Sequence, residues 1–224
     1  MRAALPPAIV TKEVTETTTI PTTVTTTKTV EVKPWLPEKW DEEHEVIVVG
    51  SGYAGLAAAI EAKNAGAEVI VIEKAETPGG NSAIAGGAIA APGNELQKKQ
   101  GIKDSPELMY KDMLKAGLYI NHPELARMVA EHALEAAEWT IKYLGVEYAP
   151  SLVWFGGHSV PRSLMPKAGS GWGIVSKLLE KCKELGIPIR TKCKLIEIIR
   201  EKPEGGRVLG VKVDEKGQIK YLKA

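Results

Sequence analysis

Cysteine is scarce: Cys182 and Cys193 are the only two, and no Cys-x-x-Cys spacing occurs. A zinc site, an iron–sulfur cluster and haem attachment through Cys-x-x-Cys-His are therefore unsupported, and no metal is expected. The two thiols read as independent. Long apolar runs are missing too; none reaches the roughly 18–20 residues needed to span a bilayer, so no transmembrane segment is expected. Met1 to Val10 carries one Arg, but Pro6 and Pro7 interrupt its apolar stretch, which makes a poor signal peptide. That reading points to the cytoplasm, although an exported mature chain would look the same. Excess charge of either sign is also lacking. Lys and Arg number 29 against 28 Asp and Glu, a formal net charge of +1, so no nucleic-acid partner is expected.

What the chain does have is glycine in clusters. Its 22 glycines gather at 50–55, 79–80 and 86–87, the distribution of a backbone that approaches a ligand closely. Residues 1–44 read as a tail or linker. From Thr11 to Val30, eleven of twenty residues are Thr, and such a segment buries too little apolar area to offset its ordering entropy. Flexibility is the expectation there; the competing reading is a β-forming segment that pairs with a partner's sheet edge. Pro34-Trp35-Leu36-Pro37 and Trp40 form an expected anchor where tail meets domain.

The globular part is expected over 45–224. Val46-Ile47-Val48-Val49 has the continuous β-branched character of a parallel strand buried on both faces. A helix over Gly52 to Ala65 follows, with Gly66 at its C-terminus, then a second strand over Ala67 to Glu73. Helices over Pro106 to Gly117 and Pro123 to Gly145 each open on Pro and close on Gly. The second carries Leu125, Met128, Val129, His132, Ala133, Ala136 and Trp139 at helical spacing. A helix from Gly171 to Leu185, a short strand at Ile187 to Arg190, and a hairpin of Lys194 to Arg200 with Arg207 to Asp214 complete the pattern, extended by Gln218 to Leu222.

Gly50-Ser51-Gly52-Tyr53-Ala54-Gly55 fits G-x-G-x-x-G. Its context supports it: a strand before, a helix opening inside, a second strand after. Gly50 suits the tight turn, Gly52 lets backbone reach a pyrophosphate, and Gly55 lets the helix close on the strand. The helix N-terminus offers free amides to the phosphates. Glu73, about twenty residues on, is placed to accept hydrogen bonds from the adenosine ribose hydroxyls, and its carboxylate disfavours a 2′-phosphate. This unit alone does not separate NAD from FAD.

The continuation Glu73-Lys74-Ala75-Glu76-Thr77-Pro78-Gly79-Gly80-Asn81-Ser82, with Ala85-Gly86-Gly87, resembles the FAD-binding segment of the fumarate reductase and flavocytochrome c flavoproteins. The likeness continues through Asp104-Ser105-Pro106-Glu107-Leu108-Met109 and Gly156-Gly157-His158-Ser159-Val160-Pro161-Arg162, then over Gly169-Ser170-Gly171 to the end. It implies an α/β fold, a Rossmann-like FAD/NAD(P)-binding domain with a parallel sheet and an added β-hairpin, incomplete at its C-terminus. It implies FAD, held without a covalent bond because no His follows the double glycine in Asn81 to Ala85. The implied cofactor residues are Gly50, Ser51, Gly52, Tyr53, Ala54, Gly55, Glu73, Lys74, Gly80, Asn81, Ser82, Gly86 and Gly87, with the last two against the isoalloxazine. The strand near Cys193 would lie beside the adenine.

The family's activity implies an oxidoreductase acting on the C=C bond of an unsaturated acid, with a cytochrome or flavin as electron donor and, by analogy, a periplasmic setting. Its catalytic residues lie in a capping segment that this chain lacks, so no catalytic residue is assigned. A second subunit or C-terminal half would complete the site, the chain being a fragment, a split subunit or a truncated product. A ketosteroid dehydrogenase-like desaturase and a non-catalytic flavin-binding subunit are the rival readings. His158 and Arg162 read as loop-structuring or close to flavin or substrate. His44, His122 and His132 read as tail and helix residues, and Trp139, Trp154 and Trp172 as core packing.

Overall fold

A computed structural model describes residues 35–224 in full and the backbone of two segments before them, Val10–Thr18 and Val24–Val32. Those two segments are strands β1 (Val10–Thr18) and β2 (Val24–Val32), antiparallel in register from Val10 opposite Val32 to Thr18 opposite Val24. The Thr-rich run therefore contains a ladder, in keeping with the preference of β-branched residues for extended backbone. Residues 19–23 and Pro34 of the expected tail and anchor lie outside the described residues.

Three sheets make up the rest. The first is parallel, in the order β4 (Val46–Val49), β5 (Val69–Ile72), β9 (Ile189–Arg190). The second runs β10 (Cys193–Lys202), β11 (Gly205–Glu215), β12 (Gln218–Lys223), then β3 (Glu42–Glu43). The third is antiparallel: β6 (Ile89–Ala90), β8 (Ser163–Pro166), β7 (Tyr148–Val153). Helix α1 (Tyr53–Asn64) crosses from β4 to β5, and α6 (Trp172–Glu184) leads into β9. Short α2 (Gly80–Ile84) and α3 (Glu95–Lys99) flank β6, and α4 (Pro106–Ala116) and α5 (Pro123–Lys142) form a helical pair.

β5 is the central strand and all four of its residues are buried, whereas β4 is not buried on both faces as expected. It sits at the sheet's edge among the described residues, and Val49 is 51% exposed. The principal core lies between this sheet and the helices α1 and α6, with Leu56, Ile60, Val71, Val175, Leu178 and Cys182 at its centre. A second core, of Ile72, Cys193, Val211, Val213 and Leu222, joins the parallel sheet to the hairpin sheet. Burial pushes the Cys182 thiol up to about 11, so it behaves as a small apolar side chain.

The folded unit takes in residues ahead of Glu45. β3 pairs in parallel with the end of β12, and the Asp41 amide donates to the Tyr221 carbonyl at 2.8 Å. Trp35 donates its indole N–H to the Glu201 carbonyl at 3.3 Å. Arg190 of β9 donates to Glu42 of β3, one N–H at 2.9 Å, which ties two sheets together and holds the Glu42 carboxyl below its ordinary range.

Helix ends follow local chemistry. Ser105 accepts the Leu108 amide at 3.1 Å and Asn94 accepts those of Leu96 and Gln97, so α4 and α3 start on side-chain caps. Gly117 ends α4 in a different way from that expected. Its backbone is not left-handed; Leu118 and Tyr119 take positive φ instead, at 52° and 60°. Gly117 is needed for space, because a Cβ there would overlap the Asn121 amide. α5 also departs from its expected pattern. It buries its small-residue row, Ala126, Ala130, Ala133, Ala137 and Thr140, and leaves Leu125, Met128 and Val129 outward. Close approach to α4 at Ala130 and Ala133, and to Ala91 and Leu164 at Ala137, selects small residues, so the larger apolar ones face away.

Candidate functional site

The site is built where β4 turns into α1. The Gly50 amide donates to the Ile72 carbonyl at 2.8 Å, and Gly50 itself has φ +98°, which favours glycine. No side chain of Gly52 caps α1, so the first-turn amides depend on other partners. The Tyr53 amide donates to the Ser82 hydroxyl oxygen at 3.1 Å. The amides of Ala54 and Gly55 have no partner among the described residues, and they point the positive end of α1 outward. A Cβ on Gly55 would overlap the Gly50 carbonyl, so this glycine lets the helix sit on its own entry turn.

Glu73 ends β5 and is almost fully buried. Its carboxylate accepts the Ser51 hydroxyl at 2.6 Å, the Ser51 amide at 3.0 Å and the Ala75 amide at 2.8 Å. Burial alone would raise its pKa, but these donors hold the carboxyl below its ordinary value. A carboxylate offers about four acceptor positions, so capacity for a further donor remains. Ser51 is a junction as well: its hydroxyl oxygen accepts the Gly79 amide at 2.9 Å, which links the fingerprint turn to the second glycine cluster. The Cys193 amide donates to the Glu73 carbonyl at 2.9 Å, so the start of β10 lies beside this acid.

The second cluster closes over the first. α2 carries Asn81 and Ser82, and the loop after it is fastened by α6. The Gly171 amide donates to the Ala85 carbonyl at 2.6 Å, and the Tyr53 hydroxyl donates to the Gly171 carbonyl at 3.0 Å. Gly87 and Gly171 are in direct backbone contact, since a Cβ on Gly87 would stand 2.7 Å from the Gly171 Cα. Gly86 faces open space. Gly50 to Gly55, Glu73, Gly79 to Ser82 and Gly87 are thereby brought to one place. Lys74 stands next to Glu73 and is exposed.

Sequence reasoning missed Gly171 and the double role of Ser51 and Ser82, whose contacts span 22 to 29 residues. The Gly-Ser-Gly ahead of α6 was the available signal. The two solvent-facing tryptophans were also misread as core: Trp154, in the β7–β8 loop, is 64% exposed and Trp172, at the first turn of α6, is 46% exposed. Trp139 does pack, donating its indole N–H to Glu61 at 3.1 Å.

His158 and Arg162 sit in the segment that leads into β8, and their hydrogen bonds go to groups outside the two glycine clusters. β6 and β8 run antiparallel, and the Ala91 amide meets the Arg162 carbonyl at 3.1 Å. Gly87 approaches the far end of β8, where a Cβ on it would stand 3.1 Å from the Pro166 ring. Arg162 is fully buried, with Nε and Nη2 on Asp104 at 2.9 and 3.0 Å and Nη1 on Asp112 at 2.7 Å. Asp112 also accepts the Ser159 amide, at 2.8 Å, and the Ser159 hydroxyl. This cluster holds the loop of 154–161 against α4. Burial and the Arg162 cation push the His158 pKa down, against the pull of Asp112 and Asp104. A cleft of about 650 Å³ lies between α5 and β7, lined by Leu134, Ile141, Tyr148 and Leu164, and includes none of the fingerprint residues.

The arrangement fits a dinucleotide: outward amides for a pyrophosphate, a buried acid for ribose hydroxyls, and a glycine turn open to a ring. Comparison with known proteins agrees. The chain is 47% identical over 178 residues to the acrylate reductase flavoprotein subunit of Shewanella woodyi, covering 79% of this chain and 35% of that protein. It is 39% identical over 180 residues to the urocanate reductase of Eggerthella lenta, covering 80% of this chain and 29% of that one. A solved flavocytochrome c3 fumarate reductase superposes with a TM-score of 0.76 at 32% identity, over 83% of this chain and 33% of the other. This chain therefore spans about a third of the length of these relatives. Residues 45–224 match the family model described as FAD binding domain, and the chain belongs to that FAD-binding family.

Proposed function

We propose that this chain is the flavin-carrying part of a reductase that acts on the C=C bond of an unsaturated acid. The observation that carries this reading is the closure of Gly79 to Gly87 over the α1 N-terminus, through Ser51, Ser82 and Gly171. When bound, FAD supplies hydride exchange with an activated double bond. The residues here bind and orient it. Ala54 and Gly55 amides face the pyrophosphate, with Ser82 beside them. Glu73, held in one rotamer by Ser51 and Ala75, accepts the ribose hydroxyls. Gly86 and Gly87 let main chain reach the isoalloxazine. Asn81 to Ala85 offer no His for a covalent bond.

The groups that clamp the acid and supply its proton belong to a complementing polypeptide or segment. The electron donor is a cytochrome or a second flavin, and a periplasmic setting accompanies that choice. The acrylate, urocanate and fumarate reductases among the relatives favour an acid substrate over a steroid.

Purified chain titrated with FAD should develop a flavin spectrum that acid precipitation releases entirely into the supernatant. Flavin remaining with the pellet would overturn the non-covalent assignment. Glu73→Ala should weaken FAD at least tenfold, about 1.4 kcal/mol, and weaken FMN less, because FMN lacks the adenosine ribose and loses only the support that Glu73 gives Ser51. Equal losses for FAD and FMN would remove Glu73 from that role.

A further inference from the structure

The first half of α5 and the loop before it expose more apolar surface than the dinucleotide site explains. Leu118, Tyr119 and Ile120 are 78%, 73% and 88% exposed, and Leu125, Met128 and Val129 follow at 54%, 52% and 45%. Exposed apolar residues grouped in this way mark candidate interaction surfaces.

The loop is not frayed. Backbone bonds join Leu118 N to Lys115 O at 3.1 Å, Tyr119 N to Leu114 O at 2.8 Å and Ile120 N to Gly117 O at 3.1 Å. Asn121 fastens it to the Met113 carbonyl at 3.1 Å. Leu118 and Tyr119 hold left-handed backbone within that frame, a conformation bulky L residues avoid unless the surroundings impose it. Three apolar side chains are thus presented outward on a fixed support.

α5 shows what would cover them. Leu125, Val129, His132, Ala136, Trp139 and Tyr143 recur at alternating spacings of four and three, so they form one stripe. Its C-terminal half is partly covered: Trp139 packs on the principal core and bonds Glu61 of α1 at 3.1 Å, and Tyr143, just past α5, bonds Asn64 at 3.0 Å. The N-terminal half has no such cover among the described residues. Beside it runs a row of acids, Glu124, Glu131 and Glu135, with side chains 80%, 51% and 80% exposed. Their ion-pair partners are His122, Arg127 and His132. α5 as a whole has four Glu (124, 131, 135, 138) against Arg127 and Lys142, in a chain whose net charge is +1.

We propose that this face docks an amphipathic helix of a partner polypeptide, apolar along its inner stripe and basic along one flank. The apolar stripe receives a helix ridge at i, i+3 and i+4 spacing, and the acidic row selects Lys or Arg beside it.

The test uses the full chain and two synthetic helices of matched apolar content, one leucine–lysine and one leucine–glutamate. Calorimetry should show binding of the lysine helix, with the glutamate helix at least tenfold weaker. The double variant Met128→Ser/Val129→Ser should lose at least tenfold for the lysine helix. Glu131→Gln/Glu135→Gln should flatten the salt dependence of that binding. All four side chains are outward, so circular dichroism and FAD content should stay unchanged. Equal binding of both helices, or indifference to the Met128/Val129 variant, would overturn the proposal. Self-association that the same variant abolishes would instead assign the face to a second copy. Variant-sensitive binding to phosphatidylglycerol vesicles, with no helix bound, would assign it to a membrane.

Discussion

Arg162→Met should destabilise this protein by about 3–5 kcal/mol, the cost of removing one partner from a buried ion cluster. Arg162 is fully buried, and it neutralises two carboxylates that are themselves nearly out of solvent, Asp104 and Asp112. Methionine fills most of the volume but leaves both charges without a cation. The Asp112 side of the cluster sets the pH dependence. Burial would raise its pKa, but the Ser159 hydroxyl and amide and then Arg162 hold it below the ordinary Asp value of 3.8. A depressed folded pKa contributes stability above the unfolded value, lost as pH falls through the folded one. Arg162→Met removes one source of that depression and leaves the Ser159 donors, so Asp112 contributes less of this stability. The deficit of Arg162→Met should therefore be smaller at about pH 3, where the Asp112 carboxylate is being protonated, than at neutral pH. Urea denaturation at both pH values measures this. A deficit that stays constant or grows with acid would show that the loss is one of packing alone. Adding Asp104→Asn and Asp112→Asn should recover part of it, because neutral amides are cheaper to bury.

Much of the fold was legible because its signals are local. The run at Val69–Ile72, the Pro that opens α4 and α5, and the turn before β11 each declare themselves within a few residues. The fingerprint was legible for the same reason, its glycines standing beside each other in sequence. Three features were not, and each depends on partners distant in the chain. β4 looks like a central strand because four β-branched residues read alike at an edge or in the middle; its neighbours decide which. The α5 stripe looked like a core face because large apolar residues dominate the periodicity. The true contact with α4 uses the alanine row, where close approach outweighs side-chain size. Arg162 was singled out for its neighbourhood to a glycine loop. Its two Asp partners, 58 and 50 residues earlier, commit its side chain to holding that loop.

Gly171→Ala should have the largest effect on the cofactor site, although it lies outside the fingerprint. An added Cβ there would overlap the Ser82 carbonyl oxygen and press on the Tyr53 hydroxyl. The first is backbone in a short helix and has no rotamer to move, so α6 and the loop of 80–87 must separate. Two bonds are lost in that movement, Gly171 N to Ala85 O and Tyr53 hydroxyl to Gly171 O. Ser82 then leaves the α1 N-terminus, where its oxygen accepts the Tyr53 amide, and the glycine turn no longer closes over the first-turn amides of α1. Overpacking of this kind costs about 1–3 kcal/mol in stability. FAD affinity should fall further, by about a hundredfold or 2.7 kcal/mol, because every contact from the second cluster is displaced together. Gly86→Ala is the control. A Cβ there meets nothing within 4 Å, so the unliganded fold should keep its denaturation midpoint, and any change should appear in flavin binding alone. Equal FAD affinities for Gly171→Ala and the parent chain would mean that α6 does not position the flavin loop. A lowered midpoint for Gly86→Ala would place a structural neighbour where the fold leaves open space.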